Sequence, residues 1–320
     1  MILASTFLTC LVWGRGRPLP FAIVIFYLLG LARPSVAWDY QNVLTGISGV
    51  PVVESTRQAV KASLNKSLPE PHSSLAYGIL FGVAKGQSFD RNFLLDLRRT
   101  GTAHMVAVSG YNVSIIVGIV LNTSVLLVSK AFLLPGILGL LLYDVVCGFS
   151  SSVMRATVMG LYLFAAGLFG RQKSMSDALL FSAALILALF PGALFDLGFE
   201  LSFLAMMAVM YLSPLFEKLF KFLPGELNKV VSATLASQVL IMPVSVYSFG
   251  QLSIIAPLAN VLTFITVTPI MALTALGVLA GFGPSFLANI ISIPNFVLLD
   301  YFVKVVGTLS ALPWSSVEIK

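Results

Sequence analysis

From residue 103 onward, long apolar runs alternate with short polar loops. The pattern predicts membrane-spanning helices at 103–129, 131–149, 153–170, 175–191, 194–213, 230–248, 254–281 and 285–310. Each reaches the roughly 17 residues that a helix needs to cross the hydrocarbon layer. Gly110, Pro135, Gly139, Pro243, Pro257 and Pro269 fall inside these runs, as expected where helices kink, break or pack closely around a cavity.

Before residue 103 the pattern is mixed. Apolar runs at 2–13 and 19–31 are each shorter than a crossing, and Arg15, Arg17 and Arg33 follow them rather than precede them. A cleaved signal peptide has the opposite charge order, so one membrane anchor near 19–38 is expected instead. Glu54, Arg57, Lys61 and Lys66 interleave with Val53, Val60 and Leu64 at helical spacing, which predicts an amphipathic surface helix ending before Pro69-Glu70-Pro71. Residues 75–84 are apolar but too short to span, so they are expected at the interface or re-entering it. Phe93, Leu94, Leu95 and Leu97 among Arg91, Asp96, Arg98 and Arg99 predict a second interfacial helix at 90–99. The fold class expected is all-α: a polytopic integral membrane bundle with broken or re-entrant helices and interfacial amphipathic helices. An N-terminal anchor and connector, 1–72, precedes a membrane domain, 73–320.

Composition agrees. Of 320 residues 58% are hydrophobic and only 10% charged, against roughly 25% charged in soluble domains, so the length is consumed by membrane crossings and leaves no room for a large soluble module. Lys and Arg number 19 against 13 Asp and Glu. Lys130, then Arg171 and Lys173, then Lys218, Lys221 and Lys229 occupy alternate loops, while the loops near 150, 192 and 251 have no basic residue. Positive loops stay cytoplasmic, which puts the segment before residue 103 and the C-terminus outside. The basic helices at 54–66 and 85–99 are then expected on the outer face, against the trend. Cys10 and Cys147 lie in separate apolar stretches and support neither a zinc site nor a disulfide framework.

Ionisable groups inside a membrane are costly and point to function. Here they are His104, Asp144, Arg155, Asp196, Glu200, Asp300 and Lys304. Asp196 and Glu200, four apart, could repel, share a proton or flank a cation such as Arg155; Arg155 fits either a structural ion pair, with Asp144 or the Asp196/Glu200 face, or a polar pathway. Asp300 and Lys304 have the spacing to neutralise each other. The densest polar strip is Arg98-Arg99-Thr100-Gly101-Thr102-Ala103-His104, continuing to Ser109-Gly110-Tyr111-Asn112 and Ser114. An intramembrane serine hydrolase would use Ser109 as nucleophile and His104 as base, but five residues on a helix separate them by roughly 140°, out of reach of each other. No HExxH, Walker loop, GxGxxG or Cys/His cluster occurs, so no cofactor or metal is expected. The strip reads as part of a conduit, and the chain as a non-enzyme.

This strip resembles the signature of the transmembrane competence domain of ComEC-type DNA-uptake channels. The likeness starts with the glycine-rich entry from Tyr77 and Gly78 and includes the R-x-T-G-x-x-H-x-x-x-x-S-G pattern. It continues at Met154-Arg155-Ala156 with Met159, at Gly170-Arg171, at Pro191 with Asp196-Leu197-Gly198-Phe199-Glu200-Leu201-Ser202-Phe203, and at Gln238, Pro243, Tyr247, Phe249-Gly250 and Pro257-Leu258-Ala259-Asn260. The blocks stand in family order over about residues 73–280. The resemblance implies a channel in the cytoplasmic membrane for single-stranded transforming DNA. Its entrance would be Lys85, Arg91, Arg98 and Arg99, and its polar path His104, Ser109, Gly110, Tyr111, Asn112, Arg155, Asp196, Glu200, Ser202, Gln238 and Asn260. A cationic mouth suits phosphate capture, and charge with aromatic or polar lining suits strand tracking. The implied partners are single-stranded DNA, membrane lipid, a DNA receptor and a cytoplasmic ATPase or helicase. The family's large forms also carry an OB-like domain and a metallo-β-lactamase-like domain; residues 39–70 are too short for the first and two histidines too few for the second, so such modules are expected either on other chains or outside this sequence. The competing reading is a transporter or channel for another anionic solute, which would be expected to show related halves; the sequence has no convincing internal repeat.

Overall fold

The structure, a computed structural model, describes residues 51–82, 89–106, 110, 112, 113, 115, 133–169, 172, 174–283 and 285–318. The expected anchor at 19–38 and most of the span at 103–129 lie outside the described residues. The helices are α1 (Pro51–Ser67), α2 (His72–Phe81), α3 (Arg91–Arg99), α4 (Ala103–Val106), α5 (Leu133–Val146), α6 (Ser151–Leu168), α7 (Met175–Leu189), α8 (Leu197–Met207), α9 (Ser213–Leu219), α10 (Gly225–Phe249), α11 (Ala256–Gly281) and α12 (Ser285–Ser310). Strand β1 (Gln251–Ser253) pairs antiparallel with β2 (Ser316–Glu318), Leu252 opposite Val317. This is an all-α membrane bundle with one short ribbon. Leu197–Leu219, Gly225–Ser248, Ala256–Gly281 and Phe286–Ser310 are each long and apolar enough to cross a bilayer.

Local chemistry explains the boundaries. Asp196 caps α8 by accepting from Phe199 N at 2.8 Å, and Ser174 caps α7 through Asp177 N at 3.2 Å. The breaks do not fall at Pro243, Pro269 or Pro294, since α10 and α11 run through the first two and α12 through the third. They fall instead at a 3-10 turn, Pro191–Phe195, and at a π segment, Ala208–Leu212, inside the Leu197–Leu219 span. A helix in a bundle can re-satisfy the groups a proline frees, so proline marks no obligatory break.

Two apolar clusters build the core. Val60 and Leu64 of α1, Leu75 and Ile79 of α2, Phe93 and Leu97 of α3, Ile270 of α11 and Phe302 of α12 form one. Met154 of α6, Leu179 and Ile186 of α7, Phe199 and Phe203 of α8 and Val244 of α10 form the other. Val113, Leu140, Val153 and Ala156 make a smaller patch. Helix α1, amphipathic as its spacing predicts, thus buries its apolar face in the same core as α11 and α12.

Helix α1 packs on α11 and α12. Helices α10 and α11 are joined by residues 250–255. Ser63 of α1 stands where a side chain at Gly281 would be. Arg99 and Gly101, by contrast, meet Ser253 and Ala256 at the other end of α11, about 37 Å away at 1.5 Å per residue. Ser63 and Arg99 thus meet α11 at different ends, while Arg57 ties α1 to the corner between α5 and α6. Docking of α1 is decided by Val60, Leu64 and Leu68, which a count of flanking charges does not see. Arg57 is held structurally as well, since its Nε and Nη2 donate to Val146 O at 2.9 and 2.7 Å and close the C-terminus of α5. Helix α3 lies at the end of α11 that adjoins the β-ribbon.

Candidate functional site

Helix α3 is built to lie at a surface. Phe93 and Leu97 face the core, while Arg91, Arg98 and Arg99 are exposed, and no carboxylate among the described residues lies within ion-pair distance of these three. The turn after it is fixed by its own polar groups. Thr100 Oγ1 donates to Asp96 O at 2.8 Å and lies 2.8 Å from Thr102 Oγ1; both threonines are fully buried. Gly101 adopts φ +68°, and a Cβ there would come within 2.7 Å of the Ala256 Cβ, so glycine alone fits both the left-handed backbone and the contact. Ser253 Oγ donates to Arg99 O at 2.6 Å. His104 is exposed, with Nδ1 2.9 Å from Gly101 O. The threonines and glycine of the signature thus hold the two arginines at the corner between β1 and α11.

Behind the mouth, α2 is buried in protein from His72 to Leu80. A ten-residue helix ending inside protein leaves carbonyls that water cannot reach. Asn112 Nδ2 donates to Ile79 O at 2.7 Å, and Tyr143 OH donates to Leu80 O at 2.6 Å. Asn112 itself is fully buried. The sequence pattern does not single out Tyr143, and its spacing from Leu80 carries no signal; a tyrosine inside an apolar span that needs a partner for its hydroxyl is the only hint.

The third element is Arg155, 8% exposed on α6. Its Nε donates to Ser202 Oγ of α8 at 2.8 Å, its Nη1 lies 3.4 Å from Met159 Sδ, and its guanidinium carbon sits 5.9 Å from the Phe203 ring centre. Its Nη2 fills the space that a side chain at Gly110 would occupy. The structure brings Arg155, Ser202 and Gly110 together. It pairs Arg155 with neither Asp196 nor Asp144: Asp196 accepts from Ser151 Oγ at 2.6 Å and Asp144 from Thr157 Oγ1 at 2.8 Å. Glu200 is buried in α8; Gln238 is half-buried in α10; Asn260 is buried in the first turn of α11, its Oδ1 without a hydrogen-bond partner among the described residues. No hydrogen bond among the described residues joins Gln238 or Asn260 to Arg155. Lys85, Ser109 and Tyr111 lie outside the described residues. Asp300 and Lys304 pair at 2.7 Å, and His72 Nε2 lies 3.6 Å from Asp300, a neighbour the sequence does not announce. Among the described residues no group of three or more His, Cys, Asp or Glu could hold a metal ion.

Comparison with known proteins matches residues 79–320 to a family profile described as Competence protein. ComE operon protein 3 of Bacillus subtilis (strain 168) is 28% identical over 245 residues, 72% of this chain and 30% of that protein. Uncharacterized protein YcaI of Escherichia coli (strain K12) is 29% identical over 236 residues, 68% of this chain and 31% of its own length. The chain thus spans just under a third of the curated relatives it matches. No solved structure matches. The family profile covers the basic mouth, the Asn112 cap and the Arg155 cluster, and continues to the last residue: this chain belongs to the competence protein family.

Proposed function

We propose that this chain forms the path by which a single strand of DNA crosses the cytoplasmic membrane, with α3 as its outward-facing entrance. The observation that carries the reading is the position of Arg98 and Arg99. They are exposed, without a carboxylate partner among the described residues, and held by Thr100, Gly101 and Ser253 at the end of the bundle whose loops near 150, 192 and 251 have no basic residue. Cations at the wrong end of a membrane protein need a ligand, and a phosphate backbone supplies one. Membership of a competence family and the likeness to ComE operon protein 3 support DNA as that ligand. Nothing in the chain binds a nucleotide by a recognised motif, so the driving force comes from a partner ATPase or helicase or from an ion gradient. A receptor delivers the DNA, and a nuclease removes the complementary strand.

The test uses purified protein in bilayer discs and a fluorescent oligothymidine. Affinity is expected to fall with salt, and Arg98→Gln with Arg99→Gln is expected to flatten the slope of log affinity against log salt by about 1.4, roughly 0.7 for each single-strand phosphate that is no longer neutralised. The same double variant should lower uptake of labelled DNA in cells deleted for the gene. Unchanged slope and uptake would remove α3 as the entrance; binding of small anions with no oligonucleotide binding would favour the solute-transporter reading.

A further inference from the structure

Resting on the DNA-path reading, we propose that Arg155 is an internal seat for a phosphodiester of the strand, and that Ser202 and Gly110 aim its guanidinium. A guanidinium has five N–H donors in a planar fork and no acceptor. Here Nε is taken by Ser202 Oγ at 2.8 Å, and Nη1 faces only the Met159 sulfur at 3.4 Å, a weak acceptor. No ion pair among the described residues includes Arg155. Of the acids whose spacing offers them as its partners, Asp196 accepts from Ser151 and Asp144 from Thr157, and Glu200, buried on α8, forms no ion pair with Arg155 among the described residues.

Burying a cation without a counter-ion lowers stability, and at 8% exposure water does little to offset it. A fork kept in that state is suited to an anion that arrives and leaves. Phosphate oxygens match its geometry in a bidentate way that a lysine ammonium does not. Phe203 lies 5.9 Å from the guanidinium carbon, and Ser202 holds Nε, so the fork is oriented before any anion is present. Gly110 matters sterically. Nη2 occupies the volume of its missing side chain, so a methyl group at 110 displaces the end of the fork. The site differs from the mouth, whose arginines are exposed: α3 captures, Arg155 accepts the strand within the bundle.

Surface-bound and nuclease-protected DNA separate the two roles in cells deleted for the gene and complemented with variants. Arg155→Met is expected to leave surface-bound DNA within about twofold and to lower protected DNA by about tenfold or more, with Arg155→Lys intermediate because charge stays and the fork is lost. Gly110→Ala is expected to lower protected DNA in the same direction. The thermal midpoint of purified Arg155→Met in bilayer discs should equal or exceed that of the unmodified protein, since an uncompensated buried charge gives way to an apolar chain. Unchanged protected DNA overturns the proposal while leaving the DNA path standing. So does a loss that merely follows a fall in melting temperature and protein level, which makes Arg155 a packing strut. If the unmodified chain confers neither bound nor protected DNA, the DNA-path reading itself fails. Phospholipid headgroups also carry phosphodiesters. A melting-temperature difference between the unmodified protein and Arg155→Met that appears only when phosphatidylglycerol is added to phosphatidylcholine discs would assign the seat to lipid and overturn the strand.

Discussion

The hydrogen bond from Asn112 Nδ2 to Ile79 O joins two fully buried groups. Neither has water as an alternative partner, so its loss exposes the asymmetry between a modest bond and an expensive orphan. Asn112→Ala is expected to destabilise the protein by about 1–3 kcal/mol, read as a lower midpoint in detergent-induced unfolding. Tyr143→Phe removes the neighbouring cap on Leu80 O and should act in the same direction, with the double variant costing less than the sum because both caps hold one helix end. Additive losses would show that α2 does not depend on the two caps as a unit. At this scale the sequence shows that a polar group sits in an apolar run, and not what it bonds. Asn112 and Ile79 are 33 residues apart, and no local pattern encodes that pairing. Likewise Arg155 is conspicuous in sequence, whereas its choice of Ser202 over Asp196 depends on Asp196 serving as the cap of α8 and taking the Ser151 hydroxyl.

Among elements, α1 separates what periodicity can decide from what it cannot. The spacing of Val60 and Leu64 names the buried face. It does not name the surface that covers this face, because any apolar groove satisfies the same stripe. The structure lays α1 on α11 and α12, and a Cβ built on Gly281 lies 3.3 Å from the Ser63 Cβ, close to the separation of about 3.8 Å seen in disulfides. Ser63→Cys with Gly281→Cys is therefore expected to cross-link under mild oxidation in membranes, seen as a mobility shift that reductant reverses. Ser63→Cys with Ser253→Cys should not, since Ser253 precedes the opposite end of α11. A cross-link in the second pair and none in the first would return α1 to the end occupied by α3. The short helices α2 and α3 are legible as elements for the same reason that the long spans are, through their apolar runs. The depth of α2 is not, because ten apolar residues read alike whether they lie at an interface or end within a bundle on Asn112 and Tyr143.

For the whole molecule, the charge pattern meets one exception in α3. Lys218, Lys221 and Lys229 are exposed in one loop region. The loops near 150, 192 and 251 have no basic residue, and α3, which carries Arg98 and Arg99, packs beside β1. A bias of this kind orients a polytopic protein with its lysine-rich loops in the cytoplasm, and the proposed entrance requires the arginines of α3 to face outward. Single cysteines placed in a background with Cys10 and Cys147 changed to Ala test this directly. Arg98→Cys and Ile254→Cys are expected to react with a membrane-impermeant maleimide in intact spheroplasts, while Lys221→Cys reacts only after permeabilisation. The reverse pattern would place α3 in the cytoplasm, where it cannot capture incoming DNA, and would leave its arginines explained by the positive-inside bias alone.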